Sequence, residues 1–434
     1  MKRACLLSLT LIVATAHAAE ELAVPDLPPP SVVRQVLERV PSVVAARAGI
    51  GMQEATRKRL LAGPHETVVR VTGQERDVRA APTAQYREWD LAVERTLRLP
   101  GKAALDGALG EQGVTQARLA LGDALHEAAR SLLKGWFAWL KERSQAALWE
   151  EQVALLQQQL VAVDKRIHAG DAPRLERLAA QAALAQAEAN RAQARFRAQA
   201  AATELMRRFP GLTLPDAVQI AQPRPVEFDG AYWREEVLAH NHELAAAQAE
   251  TRRARLALTR AEAERIPDPT VGVRAARERG GEEHIIGLTL TVPLGGAARA
   301  AAVDASRAEA DMAAQREAVV AAKLAAEAEN LFHGAQAAYA AAMAQASAAR
   351  EMEAAAALAA RAYALGEGGL SGVLTARRLA LEARLAASLA TLEANEARYR
   401  LLLDAHRLWA IDPDEHDHAP KQLPDVPRGQ KPQP

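Results

Sequence analysis

The chain has 434 residues, 49% apolar and 25% charged, with 54 basic and 54 acidic side chains and a formal net charge of zero. Such a balance leaves no electrostatic footprint for nucleic acid, where a basic domain is expected. Aromatic residues at 4%, against alanine at about a quarter of the chain, argue for long, closely packed helices rather than an enzyme core.

Residues 1–18 have the build of a secretory signal: Lys2 and Arg3, an apolar run from Ala4 to Val13, then Ala16, His17 and Ala18 as the cleavage site. Cys5 is the only cysteine and falls inside this leader, so the mature chain is expected to have no disulfide, thiolate metal site or thiol nucleophile. Beyond it no apolar run reaches the roughly 18 residues of a spanning helix. An exported chain of this kind that enters a membrane does so as strands, in an outer membrane.

Residues 19–30, including ELAVPDLPPP, form an extended lead-in expected along the surface. A first repeat covers 31–209. Ser31 is placed to cap a helix that runs to about Ala62 with a break near Pro41. Strands follow at about 65–74 and 89–99; in the second, Leu91, Val93, Leu97 and Leu99 alternate with polar or small residues, and Arg95 interrupts the apolar face. The helical hairpin 101–209 begins with a proline-free stretch of about 68 residues, near 100 Å at about 1.5 Å per residue. The turn HAGDAP ends it, with Asp171 and Pro173 as N-cap and early-helix residues of a return helix to about Phe209.

Residues 210–229, with four prolines, link to a second repeat over 230–411. A helix from about Ala231 to Arg265 precedes strands at about 270–277 and 284–292, the clearest break in the alanine-rich pattern. Ile286, Leu288, Leu290 and Val292 alternate with Ile285, Gly287, Thr289 and Thr291, the period of two that puts one set on each face. The helical hairpin 297–411 then repeats the long helix, the turn ALGEGG and a return helix from Leu370 to Trp409. The tail, 412–434, is expected to be disordered, and its DEHDH stretch (Asp414–His418) to be solvated rather than a metal site.

Gly101 and Gly295 lie 194 residues apart, and Gly170 and Gly366 lie 196 apart, which indicates an internal duplication. The fold class expected is mainly α with a small membrane β-barrel. Four strands per chain cannot close a membrane barrel, whose smallest examples have about 8, so the chain must oligomerise. A dimer gives a filled interior, and a homotrimer gives 12 strands and room for a channel. Trp136, Phe137 and Trp139 are expected in the core, and His240 and His242 on the polar surface. No catalytic, cofactor or phosphate-binding constellation is present in the sequence.

This arrangement resembles the TolC-like outer-membrane efflux proteins, or outer-membrane factors. The resemblance rests on the repeated element order, on LTVPLGG leaving the second strand pair, and on ALGEGGLSGVLTARRLALEA, similar to the family's turn at Gly366, Ser371 and Leu374. It implies a trimeric 12-stranded β-barrel in outer-membrane lipid, continued by a helical tunnel across the periplasm, with both turns facing the inner membrane. VERTLRLPGK (Val93 to Lys102) resembles the turn of the cobalt-zinc-cadmium resistance branch, although AALDGA stands where that branch has basic residues.

The function implied is a passive exit duct of a tripartite RND-type efflux pump, joined through a periplasmic adaptor to an inner-membrane transporter, with heavy-metal cations as cargo. Alternatives are a duct for drugs or type I protein secretion, a periplasmic adaptor, and an exported coiled-coil structural protein. Partner docking and gating are expected at the tips: Gly170, Asp171, Gly366, Glu367, Leu370, Ser371 and Leu374. The two glycines can adopt positive φ, the two acids charge the mouth, and the last three start the return helix.

Overall fold

A computed structural model describes residues 24–409 and 411 of the chain. The expected leader and the tail from 412 onward, DEHDH included, lie outside the described residues. The element order is helix pair, strand pair, long helix, return helix, and it occurs twice. The first pass is α1 (Pro30–Leu37), α2 (Pro41–Ala62), β1 (Thr67–Val78), β2 (Ala84–Thr96), α3 (Pro100–His168) and α4 (Arg174–Arg208). The second is α5 (Gly230–Ala239), α6 (His242–Ala263), β3 (Thr270–Glu278), β4 (Glu283–Thr291), α7 (Ala297–Ala364) and α8 (Leu370–Asp404).

The rods follow from where buried side chains recur. Buried residues repeat every seven positions: Leu125, Leu132, Trp139, Ala146 and Val153 in α3, and Ala180, Ala187 and Ala194 in α4. In α7 the same row is Ala328, Ala335, Ala342, Ala349, Ala356 and Tyr363. A seven-residue repeat keeps one seam facing a partner helix and favours a left-handed supercoil, and alanine on that seam lets the backbones approach. Accordingly α2 and α4 both pack along α3, α6 and α8 both pack along α7, and α3 also touches α6 and α8. Among the described residues no helix is long and apolar enough to cross a membrane.

Several boundaries differ from the sequence expectation; at the first, Ser31 does not cap the helix but lies inside α1, whose N-cap is Pro29, because proline suits the first helical position at Pro30. β1 and β2 extend to Val78 and back to Ala84, because the alternation continues in charged and polar residues that look like loop. β2 stops at Thr96 rather than 99, where Leu97 N–H donates to Pro269 O at 2.8 Å and the chain turns into α3 at Pro100. The helix expected over 231–265 is broken at His240, and Asn241 caps the second piece by accepting from the Leu244 N–H at 2.9 Å. The N-cap of α4 is Pro173, not Asp171. The last helix ends at Asp404 because His406 takes φ +55°.

The lead-in is not a surface strand. Asp26 is fully buried, its carboxylate accepting from Tyr399 Oη at 2.8 Å, Asn395 Nδ2 at 3.0 Å and the Ala221 N–H at 3.3 Å. Its carbonyl accepts from Trp136 Nε1 at 2.8 Å. Trp136, Phe137 and Trp139 belong to the main core with Leu27, Val33, Leu37 and Leu403. The lead-in and the interrepeat link are therefore stitched onto α3 and α8.

An Asp26→Ala chain is expected to lose about 2–4 kcal/mol, since a buried hydroxyl and amide lose their acceptor at roughly 1–3 kcal/mol each. The fall in denaturation midpoint followed by tryptophan fluorescence measures it, and Asp26→Asn should recover part of the loss.

Candidate functional site

Three places along the molecule bear on function: the sheet, the junction beneath it and the far tip. The sheet is four-stranded and antiparallel, in the order β1-β2-β3-β4. Its register stacks side chains into rows. Val69, Val93, Val273 and Leu288 form one row, and Val71, Leu91, Ala275 and Ile286 the next. This face is exposed, with Leu288 at 88% and Ile286 at 86%. A contiguous apolar face of this size is more than a water-exposed sheet ordinarily carries.

The opposite face is charged and internally paired. Arg70 meets Glu94 at 3.4 Å, Arg76 meets both Glu88 and Glu278 at 3.1 Å, and Arg274 pairs with Asp90. Arg95, which interrupts the apolar alternation, occupies the row Thr67, Arg95, Val271, Leu290 near the junction end. The fourth strand's partner edge and the outer edge of β1 carry no further strand among the described residues.

Below the sheet, Lys102 is 1% exposed, with its Nζ 2.8 Å from Asp268 Oδ1 and 3.2 Å from Glu264 Oε2. Asp268 also accepts from the Leu99 N–H at 3.2 Å and lies 3.0 Å from His65 Nε2. Burial pushes this carboxyl up, but the bonds from Lys102, His65 and Leu99 together outweigh it and hold it down at about 2. Asp106 takes Arg98 at 2.9 Å and Arg260 at 2.7 Å, and Arg98 donates to the carbonyls ending α2, Leu60 and Leu61. AALDGA thus supplies in Asp106 the acid around which arginines from two other segments gather.

At the tip, both turns are the same device. Gly170 and Gly366 have φ +82° and +83°. Each closes a helix by a six-residue bond, Asp171 N–H to Arg166 O and Glu367 N–H to Ala362 O, both 2.9 Å, with a tighter bond inside it. This is the Schellman pattern that requires a left-handed residue after the helix. Asp171, Glu367 and Ser371 are exposed, and Leu374 is half-buried. Leu370 is different: at 2% exposure it packs with Val163, Ala180, Tyr363 and Val373. It holds the tip together and presents no surface to a partner.

The two turns are brought side by side by residues that the sequence did not single out. The Arg166 guanidinium lies 4.4 Å from the Tyr363 ring centroid and donates to Tyr363 O at 3.2 Å and Asp171 O at 3.3 Å. Tyr363 Oη donates to Glu176 at 2.6 Å. One signal existed: the offset that pairs Gly170 with Gly366 sets Tyr363 against Ile167, a break in the duplication. Among the described residues, no group of three or more His, Cys, Asp or Glu side chains is arranged to hold a metal ion.

No protein-family model matches the sequence, and no curated protein matches it. The fold does have solved counterparts. The CmeC outer membrane channel of Campylobacter jejuni superposes with a TM-score of 0.72 at 12% identity, over 87% of this chain and 85% of that one. The outer membrane protein VceC of Vibrio cholerae gives 0.69 at 15%, over 88% and 95%, and the open state of the MtrE outer membrane channel of Neisseria gonorrhoeae gives 0.62 at 16%, over 87% and 89%. The chain has the fold of these outer-membrane channels.

Replacing Lys102 with Met leaves Asp268 buried without its counterion, an expected loss of about 3–5 kcal/mol at pH 7. Because the native carboxyl sits below its ordinary 3.8, the bridge contributes above about pH 4 and is lost as the pH falls through about 2. The gap between wild type and Lys102→Met in denaturant melts should therefore narrow on acidification below pH 4.

Proposed function

We propose that the chain is the outer-membrane channel of a tripartite RND-type efflux pump, a passive duct with no catalytic role. Three copies join β4 of one to β1 of the next, closing a 12-stranded barrel whose apolar face meets lipid and whose paired charges line the lumen. The helices continue as a tunnel into the periplasm once the leader is removed. The observation that carries this reading is the amphipathic sheet with both edges open, set on rods of 69 and 68 residues, about 100 Å long at about 1.5 Å per residue. The strands of 9 to 13 residues are long enough to cross a bilayer when tilted, which takes roughly 9–11. The similarity of fold to outer-membrane channels supports it.

Docking of a periplasmic adaptor, and through it of the inner-membrane transporter, is proposed at the tips. Gly170 and Gly366 shape them, Asp171 and Glu367 charge them, and Ser371 and Leu374 flank the start of α8. Leu370 acts from inside. The apolar surface a partner helix would meet comes instead from Leu175, Leu178, Leu358 and Leu365, all more than 60% exposed. The clamp of Arg166, Tyr363 and Glu176 keeps the two turns together, and its release is the proposed gate. For cargo we propose heavy-metal cations, on the resemblance of the Val93–Lys102 turn. That turn's lysine is committed to the junction, so cargo needs a direct test.

Mass measurement in detergent is expected to give a trimer, and heat is expected to shift its migration on gels; a stable monomer or dimer defeats the barrel. In a deletion strain, loss of zinc, cobalt or cadmium tolerance with drug tolerance intact is the expected outcome, and the reverse reassigns the cargo to drugs. Leu175→Asp with Leu365→Asp should leave trimer in the outer membrane at normal level yet abolish export. Gly366→Ala alone should cost about 1 kcal/mol and weaken export only slightly.

A further inference from the structure

Four of the eleven histidines meet at one point of the rods, far in sequence from both tips. His126 comes from α3, in the first repeat. His240 and His242 flank the break between α5 and α6, and His406 follows α8, all in the second repeat. The ring of His126 stacks on that of His406 with centroids 5.0 Å apart and planes 17° apart. His242 lies 5.1 Å from His406 and 6.2 Å from His126, and His240 lies 5.6 Å from His406. The fit is close: a Cβ on Gly122 of α3 would stand 2.6 Å from Cε1 of His242, so a larger residue there would have to displace that ring.

We propose that these histidines form an acid-released clasp between the two repeats: neutral rings stacked across the seam hold α3 to α6 and to the end of α8, and protonation parts them. The seam opens locally while the sheet, the junction and the tips stay folded. The physical reason is the packing itself, since neutral imidazoles can stack at these separations and imidazolium ions repel.

The charged neighbours set the sign. On α3 itself stand Asp123, Glu127 and Arg130. From α8 come Arg400 and Asp404, with Arg407 beyond. From α5 comes Glu236, from α6 Glu243, and from α7 Lys323 and Glu327. Asp404 is already engaged by Arg130 at 2.8 Å and Arg400 at 2.9 Å. His126 Nε2 lies 3.0 Å from Leu403 O, to which it donates. Burial first, and the charge of Arg130 second, hold His126 down at about 4, against the pull of Asp404. A histidine depressed in the closed state stabilises that state above its ordinary 6.5 and ceases to do so as the pH falls toward 4. Burial raises Asp123, which acts in the opposite direction, so acid loosening of the seam cannot come from that carboxyl.

The test is hydrogen exchange on the full chain in detergent, corrected for the intrinsic dependence of exchange on pH, at pH 7.5 and 5.0. A ring moving from about 4 when closed to about 6.5 when open shifts the opening equilibrium by about 30-fold between those two values. Protection in wild-type segments around 121–133, 240–246 and 400–406 is expected to fall by 10- to 30-fold at pH 5.0, while the junction and tip segments hold theirs. His126→Gln, which keeps a donor for Leu403 O, is expected to cut the response below 3-fold, and His126→Met, which takes no proton, serves the same purpose if that chain fails to fold. Unchanged wild-type protection, a uniform loss over the whole chain, or a full response in a folded His126 variant overturns the proposal. The trimer and the export reading do not enter the measurement.

Discussion

Lys102 holds an ammonium at 1% exposure, a placement that costs several kcal/mol unless opposite charge and hydrogen bonds meet it. Asp268 and Glu264 meet it, and both belong to the second repeat while the lysine belongs to the first. Neither repeat can complete this site alone. The bridge also constrains the sheet. Asp268 precedes β3 by two residues and Lys102 follows β2 by six, so their contact sets how those strands face each other, with Thr96 opposite Thr270 and the two hydroxyls 2.8 Å apart. A slip of one residue between β2 and β3 would send every apolar side chain of one hairpin to the charged face. The buried charge pair therefore helps to keep the sheet's apolar face apart from its ion-paired face.

The rods obey a different constraint. With alanine on the seven-residue seam, each contact removes little apolar area, and the helices gain stability through closeness and length. The larger side chains are concentrated where lead-in, link and rods converge, around Trp136, Phe137 and Tyr399. Long alanine seams leave the outer helix faces free, and Leu358, Val319 and Phe196 are exposed there.

Much of this was legible in the sequence because helix and strand differ so sharply here. The proline-free stretches, the alternation from Ile285 to Val292 and the glycine turns mark the long helices, the second hairpin and both tips within a few residues. The first hairpin was blurred because Glu75, Arg76, Asp77 and Arg87 continue the strands with charge, and charge inside a sheet face looks like loop. The seven-residue seam was hidden because alanine sits on and off it alike. Contacts between repeats were out of reach: nothing near Lys102 in sequence announces Asp268, and nothing near Arg166 announces Tyr363. The burial of Leu370 was missed for the same reason, since its neighbours come from three other helices.

The distribution of contacts also indicates which part of the rod opens most easily. The junction is fixed by a buried lysine, an aspartate held at about 2 and arginines from separate segments, so opening it exposes charge that nothing else satisfies. The tip holds only a small apolar cluster around Val163 and Leu370, a ring stacked under a guanidinium, and hydrogen bonds that water can replace. Local opening free energy rises with the number of unsatisfied groups that opening exposes, and on that count the tip is lower than the junction. The chain thus sets the buried pair of Lys102 and Asp268 at the sheet end of the rods and the exposed Asp171 and Glu367 at the other.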